Sequence, residues 1–217
     1  MIRRLILLRH GQTDYNATDR MQGQLDTDLS ELGRSQAKTA AAELAVRAPI
    51  RIVSSDLKRA LDTAEALGDA AGVPVSTDER LRETHLGDWQ GLTHTEVDDI
   101  APGARPAWRA DATVAPPGGE SRIDVANRSV PLVRELLGGV PEWGADGDQR
   151  PLVLVAHGGL IAALTAALLA LPTDRWPVLG GLANTSWVQL GAHGPGDNPS
   201  WRLDVWNASA RVASDVL

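Results

Sequence analysis

Four consecutive apolar residues, Leu5, Ile6, Leu7 and Leu8, break off at Arg9, His10 and Gly11. A short run that is apolar at every position predicts a strand buried on both faces, as in a parallel sheet. A second such run covers residues 151–156 and stops at His157, Gly158 and Gly159. Between the two the pattern changes period. Residues 30–48 place Leu32, Ala37, Ala41, Leu44 and Ala45 at helical spacing, with Ser30 to cap the start, Glu31 in the first turn and Pro49 as the stop. Gly33 is expected to weaken this helix. A strand over 50–54, a helix over 56–71 and a short strand entered through Gly72, Val73, Pro74 and Val75 follow. Residues 80–92 read as loop. Residues 102–119 are rich in Pro and Gly, with a short helix near Trp108. The pattern then predicts a helix over 120–137, a polar surface loop over 138–150 and a buried, Ala-rich helix over 160–171. Two late strands, 186–190 and 201–206, flank the turn-rich stretch 191–200 and suggest an antiparallel hairpin. Strands alternating with helices imply an α/β fold: a three-layer sandwich with a mostly parallel central sheet and helices on both faces. No internal repeat interrupts this pattern, and one domain over residues 1–217 is expected.

Composition narrows the picture. With 43% hydrophobic residues the chain can bury a full core, and with no Phe and one Tyr that core must be mainly aliphatic. No Cys is present, which excludes thiolate catalysis, disulfides and Cys-based zinc sites. A net charge of −7 argues against nucleic acid or an anionic membrane as partner. Lys38 and Lys58 are the only lysines, so positive charge is almost all arginine. No apolar run approaches the roughly 20 residues of a membrane span, and a cytoplasmic location is expected.

The two apolar strands end alike, each in a histidine followed by glycine. Ligands of open α/β sheets bind at the carboxyl ends of strands, and glycines there bring peptide N–H groups close to an anion. Either histidine alone could be an ordinary polar residue at a strand end; the pair makes that reading poorer. Arg59, early in the second helix, can reach the same rim, although a solvated helix arginine is the plainer alternative. Glu83, in Leu81-Arg82-Glu83-Thr84-His85, is by itself an unremarkable surface carboxylate.

Taken together, Arg9-His10-Gly11, Arg59, Glu83 and His157 occur in the order found in the histidine phosphatase superfamily, also called phosphoglycerate mutase-like, and the whole chain resembles it. The resemblance implies that His10 is the nucleophile, neutral and held in one tautomer. Arg9, Arg59 and His157 would form the phosphate cradle. Glu83 would be the general acid and then the general base, which calls for a pKa raised by burial or by nearby phosphate. It also implies substrate contacts from Asn16, Gln22, Gly23 and Gly158, with no cofactor and no metal. A loop cap and a turn are the plainer readings of Asn16 and Gln22. His85 is open between the pocket and a structural role; His94 and His193 are placed in surface or loop.

Within the superfamily the core does not separate a mutase from a phosphatase, and a binding module that has lost catalysis is a further alternative. Mutases carry extra basic residues for a second phosphate. Residues 101–121 hold only Arg105 and Arg109, which favours hydrolysis. The stretches RHGQTDYN, RMQGQLDT, ETHLGDWQGLTH and WRLDVWNASA resemble a branch that hydrolyses a phosphorylated glucosylglycerate. That resemblance implies a small phosphorylated glycerate or glucosylglycerate ester as substrate and a homodimer.

Overall fold

Alternate residues of a strand face opposite sides of its sheet, and here both sides are covered. The structure, a computed structural model, describes residues 1–210; residues 211–217 of the expected domain lie outside the described residues. Its strands are β1 (Ile2–Arg9), β2 (Arg51–Ser54), β3 (Val75–Thr77), β4 (Leu152–Ala156), β5 (Trp187–His193) and β6 (Ser200–Ala208). Its helices are α1 (Asp14–Ala17), α2 (Glu31–Ala45), α3 (Lys58–Ala71), α4 (His94–Ile100), α5 (Ala104–Ala110), α6 (Arg122–Gly139) and α7 (Gly158–Leu168). One sheet has the order β3-β2-β4-β1-β5-β6. Its first four strands run parallel; β5 and β6 are antiparallel, the expected hairpin.

From β1, Leu5 and Leu7 join Leu152 and Leu154 of β4 in a core packed against α6 and α7. Ile6 and Leu8 join Val153 and Val155 in a second core, against α2 and α3. The expected three-layer α/β architecture is therefore present.

Gly33 has a purpose that helix propensity does not show. Ser30 caps α2 by accepting from the Gly33 N–H at 3.0 Å. A Cβ on Gly33 would lie 1.9 Å from the Gln12 carbonyl oxygen, and one on Gly11 would lie 2.4 Å from the Gly33 oxygen. Glycine at both places lets the start of α2 lie directly on the loop that leaves β1. The helix ends at Ala45, earlier than Pro49 suggested, with Val46 as its C-cap, and the chain then turns through Ala48 at φ 49°.

Three expectations need correction. Residues 138–150 are not simply a polar surface loop: α6 runs through Gly139, Val140 and Trp143 are buried, and the Trp143 indole donates to the Arg4 carbonyl at 2.9 Å. Two apolar anchors were hidden in a polar average. Residues 80–92 contain two short 3₁₀ turns, Glu79–Leu81 and Gly87–Trp89. Helix α4 was not foreseen; it starts at a capping box of Thr93 and Glu96. Met21, Leu86, Trp89 and Val97 form a small separate core there, with Trp108 of α5 packed against it. Among the described residues no helix is long and apolar enough to cross a membrane.

Candidate active site

Strands β1 and β4 pair in register Arg9 to Ala156, so the residue after each strand lands beside the other. The His10 and His157 rings lie 5.1 Å apart, tilted by 57°. Both are buried. His10 Nδ1 sits 2.7 Å from the Gly11 carbonyl oxygen. A carbonyl can only accept, so Nδ1 carries the hydrogen and Nε2 keeps its lone pair. Burial holds the His10 pKa well below 6.5, and the charges of Arg59 and Arg9 push the same way. The ring is therefore neutral at physiological pH, as an attacking nitrogen must be. Burial, then Arg59, also lowers His157, whose two ring nitrogens have no hydrogen-bond partner.

Arg59 is fully buried at the second position of α3. Its guanidinium donates to Leu25 O at 2.7 Å and Gly23 O at 2.8 Å, while Nε is left unpartnered. Burial brings its pKa down to about 10, so it remains a cation. The solvated-helix alternative is thereby removed. Arg9 donates to the Leu182 carbonyl, and its Nε too is buried without a partner. Arg59, fully buried, and Arg9, half-buried, each keep an Nε–H without a partner, a donor suited to an oxyanion.

Glu83 reaches the same point from the loop after β3. Its carboxylate accepts three backbone N–H bonds: from Thr84 at 2.8 Å, and from Gly159 and Leu160 at 3.0 Å each, at the start of α7. The positive end of a helix suits a carboxylate. A Cβ on Gly159 would lie 2.6 Å from Glu83 Oε1, so the second glycine after His157 is what admits the carboxylate. Behind it, Arg128 of α6 donates to Glu83 O at 2.9 Å and pairs with Glu120, which accepts from the His85 N–H. No motif in the sequence marks Arg128, a helix arginine like any other.

Arg9, His10, Arg59 and Glu83 line one cleft of about 520 Å³, together with Asn16, Gln22, Gly23 and Gly158. His157 is not among its lining residues; its ring packs against that of His10. Asn16 does act as a cap: its Oδ1 accepts from Thr13 N and from Asn184 Nδ2, which also donates to His10 O. Gln22 Oε1 accepts from the Thr13 and Thr27 hydroxyls, and Gly23 turns at φ 53° to offer its carbonyl to Arg59. His85 Nδ1 accepts from Gly87 N and does not line the cleft; its place is structural. His94, assigned to surface or loop, does line the cleft. His193 closes β5 and does not. Another groove, of about 600 Å³ between α2 and α3, contains none of these groups.

The count of basic residues also changes. Arg105 is tied to Asp98, but Arg109 reaches the cleft, and Arg20 and Arg122 join it from outside residues 101–121. A stretch-by-stretch count misses cations that the fold gathers.

A buried neutral histidine beside two arginines, one buried and one half-buried, with a carboxylate at hand, can accept a phosphoryl group and return it to water. Comparison with known proteins agrees. The chain is 69% identical to the glucosyl-3-phosphoglycerate phosphatase of Mycolicibacterium vanbaalenii, covering 100% of this chain and 99% of that one. It is 67% identical to the enzyme of that name from Mycobacterium tuberculosis, covering 99% of each. A structure of mycobacterial glucosyl-3-phosphoglycerate phosphatase complexed with VO3 superposes with a TM-score of 0.94 at 67% identity, covering 95% of this chain and 100% of that one. Residues 5–209 match the Histidine phosphatase superfamily (branch 1), and the chain belongs to that family.

Proposed function

We propose that this chain hydrolyses glucosyl-3-phosphoglycerate to glucosylglycerate and phosphate through a phosphohistidine on His10. The observation that carries the mechanism is the Nδ1 bond to Gly11 O, which leaves Nε2 of a neutral ring as the nucleophile. Arg9 and Arg59 hold the equatorial oxygens as charge spreads over them, and His157, packed against His10 with both ring nitrogens unpartnered, completes the cradle through one of them. Asn16 and Gln22 shape the loop that bounds the phosphate, with Gly23 and Gly158 giving close backbone approach. Glu83 protonates the leaving alkoxide and then takes a proton from the water that attacks phosphohistidine. The substrate rests on identity along the whole chain to the mycobacterial enzymes of that name.

In this reading the protein is a single histidine phosphatase domain and a cytoplasmic homodimer, early in methylglucose lipopolysaccharide synthesis. It uses no cofactor, since the arginines supply the positive charge that a metal otherwise would. Phosphate release from glucosyl-3-phosphoglycerate, assayed with EDTA and without any bisphosphate, is the test. Full turnover is expected. Dependence on bisphosphate priming would point to a mutase, and no turnover of any phosphomonoester to a binding module.

A further inference from the structure

Beyond the cradle, the cleft wall carries a second set of cations. Arg109 near the end of α5 and Arg122 at the start of α6 both line it. Their surroundings differ from those of the other arginines on this side of the sheet. Arg80, Arg82, Arg105 and Arg128 each hold a carboxylate. Among the described residues, neither Arg109 nor Arg122 has an ion-pair or hydrogen-bond partner. Arg122 is half-buried, and its pKa is lowered first by that burial and then by the charge of Arg109. The two are thus like charges held near each other on one wall, an arrangement that an anion relieves. The Arg122 guanidinium stands 5.9 Å from the centre of the Trp108 ring. Trp108 is itself braced edge-on by Trp89, and its indole N–H is buried without a partner. Arg122 and Trp108 therefore share one braced wall of the cleft.

We propose that Arg122 and Arg109, with Trp108 packed beside Arg122, form a second anion subsite that takes the carboxylate of the glycerate leaving group. This rests on the reading of the substrate given above, which has a phosphate and a carboxylate on one three-carbon unit. Arginine forks match a planar carboxylate in two bonds, and the cradle arginines are already committed to phosphate. Arg20 is less available, since it is held by Gly91 O and Glu96. The subsite makes the enzyme selective for phosphorylated acids over phosphorylated alcohols of the same size.

The test uses inhibition of aryl phosphate hydrolysis, so that it does not depend on which natural ester is turned over. 3-Phosphoglycerate and glycerol 3-phosphate differ by a carboxylate in place of a CH2OH group. The acid is expected to inhibit at least about tenfold more tightly, the scale of one charge-assisted pair. That ratio should collapse towards one in Arg122→Gln and fall in the more exposed Arg109→Gln, with partial return in Arg122→Lys. Because the two inhibitors are compared within each variant, a general loss of folding or activity cancels. Equal inhibition by acid and alcohol in the wild type, or a ratio unchanged in both variants, would overturn the subsite. Failure to hydrolyse glucosyl-3-phosphoglycerate, with the inhibitor ratio intact, would instead remove the substrate reading alone.

Discussion

Arg59 shows how far a single side chain is fixed by its surroundings. It is buried, bound through two N–H groups to the carbonyls of Gly23 and Leu25, and left with Nε free. Replacing Arg59 by Ala should lower kcat/KM about a hundred- to a thousandfold, the usual effect of losing one transition-state donor. Lysine should not restore activity, because a single ammonium nitrogen cannot span two carbonyls and an oxyanion that Arg59 meets with three separate nitrogens. A loss below tenfold would reduce Arg59 to a structural cation. Glu83→Gln should divide the reaction. Gln neither donates a proton to an alkoxide nor takes one from water, so a glycerate ester should be slowed at its first step. An aryl phosphate needs little protonation to leave, and rapid quench should show a burst of phenol followed by slow turnover. Equal slowing of both substrates without a burst would move the acid–base role elsewhere. Asp88, the next carboxylate in the motif, is exposed and lies outside the cleft lining, which leaves Glu83 with little competition.

At the scale of elements, what was legible depended on period. The runs ending at His10 and His157 read as buried strands because every position is apolar, and both are buried strands of one sheet. Helix α2 was legible from its spacing and its Ser30 cap. Helix α4 was not: seven residues give too little periodicity beside glycine-rich sequence, and its burial comes through Val97 alone. The same segment hid the cleft position of His94 and the packing of Trp108, which depend on a small core assembled from distant residues. Glycine roles were also only half legible. Gly158 has ordinary room, with Arg9 Nε 3.6 Å from a Cβ there, whereas Gly159 has none. Gly158→Ala should therefore fold with Glu83 undisturbed. Gly159→Ala should push Glu83 off the start of α7 and lower kcat for the glycerate ester far more than for an aryl phosphate. Equal effects of the two alanines on that contrast would mean that Gly159 does not position Glu83.

At the scale of the molecule, the sheet order sets β4 between β2 and β1, which brings the ends of β1 and β4 and the start of α3 to one rim. The parallel sheet and its two-sided cover were legible in the alternation of elements; the strand order was not, since no local pattern records which strands pair. Burying two neutral histidines also leaves a mark on stability. Unfolded, each would protonate near pH 6.5; folded, both are held well below that. Their contribution is therefore complete above about pH 6.5 and is lost as pH falls from there towards the folded values. Melting temperature should drop between pH 7 and 5, above the range where carboxylates such as Asp56 and Asp78, whose pKa values are lowered, begin to titrate. His10→Gln should flatten that drop. A melting temperature constant from pH 7 to 5 would mean that the rings are not buried as neutral groups. The most direct measurement is capture of the phosphoenzyme itself, by rapid acid-free quench during turnover and mapping of the phosphate. Acid-labile, base-stable phosphate on His10, absent from a folded and inactive His10→Ala, is the expected result; a His10→Ala enzyme that still turns over, or phosphate on another residue, would contradict the mechanism.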